Sequence, residues 1–219
     1  KETYYHGAVG VTLSGDIAVD TIVAQGCRAI GEPRRITKCQ RNVLLELDGE
    51  PPLAYLQAMF HNLPPRDQDL VKHNLFLGIA MDPLLTLDDV HSGHYLIRNL
   101  IGADQESGGL AVAEHLREGQ LVQFHVRDAM TSAEDLQRQL MGYLEGKKKA
   151  RPVGALLFQC TGRGMHLYGK PNHDTDVFNE LVGSLPLGGF FCNGEIGPVS
   201  GTTFLHGYTS SFGIFHPKY

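Results

Sequence analysis

The sequence predicts an α+β fold, with a large mixed, mostly antiparallel sheet and a few covering helices. Short apolar runs rich in Val, Ile, Leu and Phe recur along all 219 residues, as expected of strands. Apolar residues at helical spacing occur in only a few segments. One such segment lies between two strand-like runs, which is the order of a parallel β–α–β unit inside a mixed sheet.

The strand-like runs begin near the start of the sequence and continue to its end. In order they are GAVGVTL, DIAVDTIVA, NVLLELD, NLFLGIAM, HYLIRNL, LVQFHVRD, VGALLFQC, PLGGFF and SSFGIF. In LVQFHVRD the apolar residues alternate with Gln123, His125 and Arg127. This period of two predicts an antiparallel strand with one buried face and one face in water.

Three helices are predicted, at about residues 52–62, 131–145 and 174–183. Two prolines open the first helix, where a missing backbone N–H costs little. Thr131 and Glu134 have the spacing of a capping box at the start of the second. Asp174 is the expected N-cap of the third, which would connect VGALLFQC to PLGGFF.

Composition and charge exclude several classes of function. The formal charge of −5 and the absence of a long basic run predict no nucleic-acid partner. No apolar run is long enough to predict a membrane span. The four cysteines form no CxxC pair, so neither a disulfide framework nor a cysteine zinc site is expected. His91 and His94 are the closest histidine pair but lack further ligands at suitable spacing, so we expect no metal and no cofactor.

Polar residues follow the strand VGALLFQC. Cys160 ends this strand, and the turn Gly162-Arg163-Gly164 would let backbone amides and a guanidinium approach a carboxylate or phosphate. The alternative is a tight turn with an exposed arginine. Cys160 also belongs to a set with the residue types of a cysteine nucleophile site, although a buried inert thiol is the simpler interpretation. The other members of that set are His173, Asn193 and His206.

The glycine-rich end of the chain, PLGGFFCNGEIGPVSGTTFLHGYTSSFGIF, predicts a strand, an irregular loop and a strand pair. Glycines at strand ends permit close approach by a ligand or another backbone. Glu195 lies among these glycines, and His206 and Tyr208 are expected near it. This segment is therefore predicted to form a pocket wall.

Four segments together resemble the FIST family, named for F-box and intracellular signal transduction proteins. They are VAQGCRAIGEPRRITKC, HYLIRNLIGAD, GALLFQCTGRGMHLYGKPNHD and the glycine-rich end. The resemblance implies that residues 1–43 form the end of an N-terminal FIST domain and residues 44–219 a C-terminal FIST domain. Ala29 stands where a proline usually follows QGCR. The front of the N-terminal domain and an F-box lie outside the resemblance, so a ubiquitin-ligase adaptor is not expected.

The family resemblance implies a non-catalytic sensory domain that binds a small ligand, with an amino acid as the proposed class. Arg163 and Glu195 would hold the two ends of a zwitterion, unless they simply pair with each other. The predicted ligand-binding residues are Cys160, Arg163, Asn193, Glu195, His206 and Tyr208. A scaffold that binds a protein partner and a cysteine-dependent enzyme remain alternatives. The expected location is the cytoplasm, or the plastid stroma if the source is a photosynthetic eukaryote.

Overall fold

The structure is a computed structural model that describes residues 5–82, 95–146, 151–199 and 201–218. Within these residues it contains twelve strands and five helices, and the predicted α+β class is confirmed. The strands are β1 (Ala18–Ala24), β2 (Arg28–Gln40), β3 (Val43–Leu47), β4 (Leu75–Ala80), β5 (Tyr95–Ala103), β6 (Leu110–Val112), β7 (Leu121–Val126), β8 (Gly154–Cys160), β9 (Leu187–Cys192), β10 (Glu195–Val199), β11 (Thr202–His206) and β12 (Ser210–His216). The helices are α1 (Pro52–Asn62), α2 (Pro65–His73), α3 (Ala129–Gly146), α4 (Met165–Tyr168) and α5 (His173–Leu181).

Six strands close into an antiparallel barrel in the order β2-β3-β6-β5-β4-β7. The long strand β2 serves two neighbours, because it pairs with β7 as far as Arg35 and with β3 from Ile36. An irregularity in register near Gly31, whose φ is 63°, lets β2 bend. Apolar side chains fill the barrel, and they include Leu44, Leu77 and Phe124.

The second unit is a four-stranded sheet in the order β1-β12-β8-β9. Its β8–β9 pair is parallel, with α5 in the connection, as the sequence predicted. Helices α3 and α5 pack on one face, where Leu136, Leu140 and Phe178 meet Phe212 of β12. The hairpin β10–β11 packs on the opposite face, with Gly197 against Val23.

The strands are therefore divided among a barrel, a four-stranded sheet and a hairpin, whereas the sequence predicted one large sheet. Strand patterns specify which face of a strand is buried but not which strand becomes its neighbour. Barrel closure pairs both edges of every barrel strand, which removes edges that would otherwise need covering.

Two strand predictions are wrong. Residues 7–13 form no strand, and their apolar side chains, such as Val9 and Val11, are exposed because no described strand lies beside them. The strand LVQFHVRD has no fully wet face, because the outer side of β7 is covered. His125 packs edge-on against the ring of Tyr95, and Arg127 is buried beneath the ring of Tyr208.

All three predicted helices are present, together with two shorter helices that were missed, α2 and α4. The caps differ from those predicted. Asp128 accepts the Thr131 amide at the start of α3, at 2.7 Å. Asn172, in the left-handed region with φ 59°, takes the N-cap position of α5. Asp174 therefore lies inside the first turn of α5, where its carboxylate is free to bond elsewhere.

Candidate functional site

The carboxyl ends of β8 and β9 lie side by side, which brings the two predicted loops together. Cys160 is opposite Cys192 in the parallel register. Just beyond them, the hydroxyl of Thr161 donates to Oδ1 of Asn193 at 3.2 Å. Cys160 and Asn193 are therefore at the same end of the sheet, as predicted.

Arg163 is buried, with a side chain that is 0% exposed, in contrast to the exposed arginine of the alternative interpretation. Its Nε donates to Oδ2 of Asp174 at 2.7 Å, and its Nη2 donates to the hydroxyl of Tyr168 at 2.6 Å. A further bond, at 3.4 Å, joins Nη1 to the carbonyl of Tyr208. The alternative pairing of Arg163 with Glu195 is not among the described ion pairs, because Asp174 occupies the guanidinium.

Asp174 is the centre of a buried polar network. Its carboxylate also accepts hydrogen bonds from Gln159 Nε2 at 2.7 Å, from His173 Nδ1 at 2.9 Å and from the hydroxyl of Ser210. Burial alone would raise the pKa of Asp174, but the charge of Arg163 and these hydrogen bonds outweigh it and lower the pKa to about 2. The network therefore holds a full ion pair inside the protein.

Glu195 is buried on the other face of the sheet. Its Oε2 accepts the hydroxyl of Thr209 at 2.8 Å and the amide of Thr209 at 3.3 Å. Burial raises the pKa of Glu195. His206 lies directly opposite in the hairpin, and its Nε2 donates to the carbonyl of Gly197 at 3.0 Å, while burial lowers its pKa.

Tyr208 joins the barrel to the sheet. Its backbone is in the left-handed region, with φ 66°. Its ring contacts Phe76 of the barrel, with 4.6 Å between ring centroids. The guanidinium of Arg127, which directly follows barrel strand β7, lies 5.2 Å from the centre of the Tyr208 ring. Its hydroxyl donates to Oδ1 of Asn99, and its carbonyl binds Arg163. The strained backbone is held by contacts from both units.

The first of two cavities beside these loops, the α5 cavity, has a volume of about 400 Å³. It lies at the carboxyl ends of β8 and β9 and at the start of α5. It is lined by Gln159, Thr161, Arg163, Gly164, Met165, His166, Pro171, Asn172, His173, Asp174, Thr175 and Phe191. Arg163 is the predicted site residue that it contains.

The second, the hairpin cavity, has a volume of about 230 Å³ and lies between the barrel and the hairpin. Three predicted residues line it together, namely Asn193, His206 and Tyr208. The ion pair of Arg98 and Glu114, 2.8 Å apart, contributes the charged part of its wall. Cys160 and Glu195 are buried and line neither cavity.

The thiols show little sign of nucleophile activation. Cys160 is 8% exposed, and its Sγ accepts the amide of Gly162 at 3.4 Å. Among the described hydrogen bonds none joins Cys160 to a histidine, since His173 and His206 are bonded to Asp174 and to the carbonyl of Gly197. Within the described ranges no group of three potential ligands could hold a metal ion. His91 and His94 lie outside the described residues.

Sequence reasoning missed the residue on which the polar network depends. The sequence predicts Asp174 as a helix cap and predicts no role for Gln159, Tyr168 or Ser210. A second acidic residue, Asp176, follows Asp174 in the same first turn. Two acidic residues in one first turn indicate that one of them can bind a group outside the helix. Only the structure identifies that group as Arg163.

Comparison with known proteins identifies the family. A FIST C domain model matches residues 53–198, and a FIST N domain model matches residues 1–50. The chain belongs to the FIST family. This is a family of sensory domains in signal transduction. Its FIST C match contains the α5 cavity.

Similar proteins occur in bacteria and in eukaryotes. An uncharacterized protein of Mycobacterium tuberculosis is 42% identical over 215 residues, which cover 98% of this chain and 55% of the relative. An F-box/LRR-repeat protein of Arabidopsis thaliana is 29% identical over 53% of this chain and 25% of its own length. F-box only protein 22 of Homo sapiens is 34% identical over 27% of this chain and 19% of its own. The chain spans about half the length of the mycobacterial relative.

None of the helices in the described part of the chain is both long enough and apolar enough to cross a membrane.

Proposed function

We propose that this FIST domain binds a small polar metabolite of the amino-acid class in the α5 cavity, as the sensing step of a signalling protein. The observation that carries the proposal is the cavity itself, about 400 Å³ in volume, beside a buried and fully bonded Arg163–Asp174 pair. Ligand pockets commonly begin at about 300 Å³. In sheets with parallel strands they tend to lie beyond the carboxyl ends of those strands.

The start of α5 supplies donors for a carboxylate. The first hydrogen bond of the helix runs from the amide of Asp176 to the carbonyl of Asn172, so the preceding amides in the first turn have no acceptor within the helix. Such amides favour an anionic group. Asn172 and Thr175, at this end of the helix, also line the cavity.

The remaining walls suit the other parts of an amino acid. Gln159 uses its Nε2 to bind Asp174, which leaves its Oε1 as an acceptor for an ammonium group. The hydroxyl of Thr161 is a second acceptor. Met165 and Phe191 supply apolar surface for a side chain. In this proposal Arg163 supports the cavity floor instead of contacting the ligand, because all of its charge is directed to Asp174, Tyr168 and a carbonyl.

A thermal-shift screen against amino acids and related metabolites, followed by calorimetry, tests the proposal. A ligand at about 100 times its Kd should stabilise the fold by about 2.7 kcal/mol. Met165→Trp, at an exposed position on the cavity wall, should block binding without unfolding the domain. The control variant Asn179→Trp, at an exposed position of α5 outside the cavity, should leave binding unchanged. The proposal fails if no compound stabilises the protein or if Met165→Trp binds normally.

A protein-binding surface is the second candidate, because β9 is an edge strand with exposed aromatic side chains. Phe190 is 64% exposed and Phe191 is 54% exposed. An unpaired edge of this kind can accept a strand from a partner. Proximity labelling should then identify a neighbour that is lost in Phe190→Glu and kept in Met165→Trp, whereas the same neighbours in both variants would contradict this candidate.

A further inference from the structure

A separate cavity of about 340 Å³, the α3 cavity, lies at the β1 edge of the four-stranded sheet. Helix α3 forms one wall with Asp135, Gln139, Gly142 and Tyr143, which share a helix face through their spacing. The end of β1 and the residues after it form the opposite wall, and β10 closes the remaining side. None of its lining residues belongs to the α5 cavity or to the hairpin cavity.

Two glutamines in this cavity have side-chain amides without a hydrogen-bond partner among the described residues. Gln25 is 9% exposed, and Gln139 is half-buried on α3. Both side chains line the same cavity, so a single molecule in it can reach both amides. Each amide offers an oxygen acceptor and N–H donors to such a molecule.

The charge of the cavity wall comes from Asp135, which is 7% exposed. Its Oδ2 accepts the amide of Gly26 at 2.9 Å, and its Oδ1 accepts Nη2 of Arg138 at 2.6 Å. A carboxylate has lone pairs for about four donors, so this group has capacity for more. The side chain of Arg138 is 62% exposed, and an exposed pair of this type is weak and screened by salt.

The other titratable residues on the wall are neutral at physiological pH. Burial raises the pKa of Cys27 to about 12, so it remains a thiol. Burial, with the nearby charge of Asp20, raises the pKa of Tyr143 to about 12. The buried guanidiniums of Arg127 and Arg163 interact with Cys27 from behind the wall and do not line the cavity.

We propose that the α3 cavity binds a small molecule with a primary ammonium group. Asp135 would be the counter-ion, and the side-chain oxygens of Gln25 and Gln139 would accept the remaining N–H donors. A charged donor in a partly buried site forms stronger hydrogen bonds than a neutral one, which favours an amine over an alcohol of the same shape.

The first experiment is an NMR titration of the ¹⁵N-labelled chain with 1,4-diaminobutane, with 1,4-butanediol as the uncharged probe. The diamine should cause saturable shifts of the Gly26 amide and of the Gln25 and Gln139 side-chain amides, and the diol should not. Gly142→Leu should remove these shifts, because its added side chain enters open space at the cavity wall. Gly146→Leu, on the same helix but outside the cavity, is the control.

Charge variants then test the role of Asp135 by calorimetry with the same diamine. Asp135→Asn should weaken binding by about tenfold or more. Arg138→Gln should strengthen binding, because it removes the cation that competes for Asp135. A purely structural role for the Asp135–Arg138 pair would not produce this gain. The Arg138→Gln variant also keeps the test valid if Asp135→Asn fails to fold. Glu134→Gln, an exposed neighbour on α3, should leave the affinity unchanged.

Several results would overturn the proposal. They are the absence of saturable shifts with the diamine, equal binding of the diol, undiminished binding in Gly142→Leu, and weaker or unchanged binding in Arg138→Gln. Because the α5 cavity shares no lining residue with this one, Met165→Trp should retain the diamine shifts, so failure here is distinguishable from failure of the proposed function.

Discussion

The barrel and the four-stranded sheet are both rich in antiparallel strands, but they bury different chemistry. The barrel interior is apolar, with Leu44 and Leu77 fully buried. The sheet buries an apolar layer under its helices and, at the carboxyl end of β8, the ion pair of Arg163 and Asp174. The barrel is closed, whereas β9 leaves the sheet with an open edge. In the binding proposals made above, the barrel is a scaffold and the cavities of the sheet hold the ligands.

The largest expected effect comes from breaking the buried ion pair. Asp174→Asn should lower the free energy of unfolding by about 3–5 kcal/mol, because it leaves the charge of Arg163 buried without a partner. Glu46→Gln breaks the exposed pair with Lys38 on the barrel and should cost about 0–1 kcal/mol. Chemical denaturation of both variants measures the difference, and equal losses would contradict a charged sheet interior.

The two units should also lose stability in different ranges of pH. Burial lowers the pKa of His125, on the barrel, from 6.5 to about 4. Between these values the unfolded state binds a proton that the folded state does not, so the free energy of unfolding falls as the pH decreases, by about 3 kcal/mol in total. Asp174 stays ionised in the folded state down to about pH 2, so its contribution is lost only below about pH 4.

His125→Gln tests this assignment, because it should flatten the dependence of stability on pH between 6.5 and about 4 relative to the parent chain. The same slope in the variant would mean that other groups control this range. Denaturant unfolding at a series of pH values supplies the measurement, and the slope is informative even if the variant is less stable throughout.

A smaller effect is expected from tight packing against His125. A Cβ at Gly78 in the barrel would lie 2.4 Å from Cε1 of His125 and 3.0 Å from Cβ of Tyr95. Gly78→Ala should therefore destabilise the protein by about 1–3 kcal/mol. Gly213→Ala in the sheet meets its nearest neighbour, Val19, at an ordinary 3.6 Å and should be close to neutral. Thermal unfolding compares them, and a neutral Gly78→Ala would show that the ring of His125 can move.

The smallest change is chemical labelling, which leaves the fold intact. Burial raises the pKa of Cys27, Cys39 and Cys192, so these thiols should react slowly. We expect Cys160 to react first with a mild electrophile. Its Sγ accepts the amide of Gly162, and Arg127 Nη1 donates to the carbonyl of the same glycine. Mass spectrometry of the labelled peptides measures the order, and preferential labelling of Cys27 or Cys39 would contradict the expectation.

Much of the local structure could be predicted from the sequence. Helical spacing located α1, α3 and α5, and the run of strand, helix and strand predicted the parallel β8–β9 pair that joins the two loops. These features depend on residues close together in the chain. The motifs around Cys160 and Asn193 also indicated the family, which the comparisons confirm.

The partners of the buried charges were decided only by the tertiary structure. Arg163 binds Asp174, because the cap at Asn172 leaves that carboxylate free and the helix returns it to the end of β8. His125 became buried against Tyr95 of the barrel, and Arg127 became buried beneath the ring of Tyr208. Both are contacts between segments that are distant in the sequence. Sequence periodicity reports which face of an element is apolar, whereas the partner of a polar group depends on distances that exist only after strands from both ends of the chain have packed together.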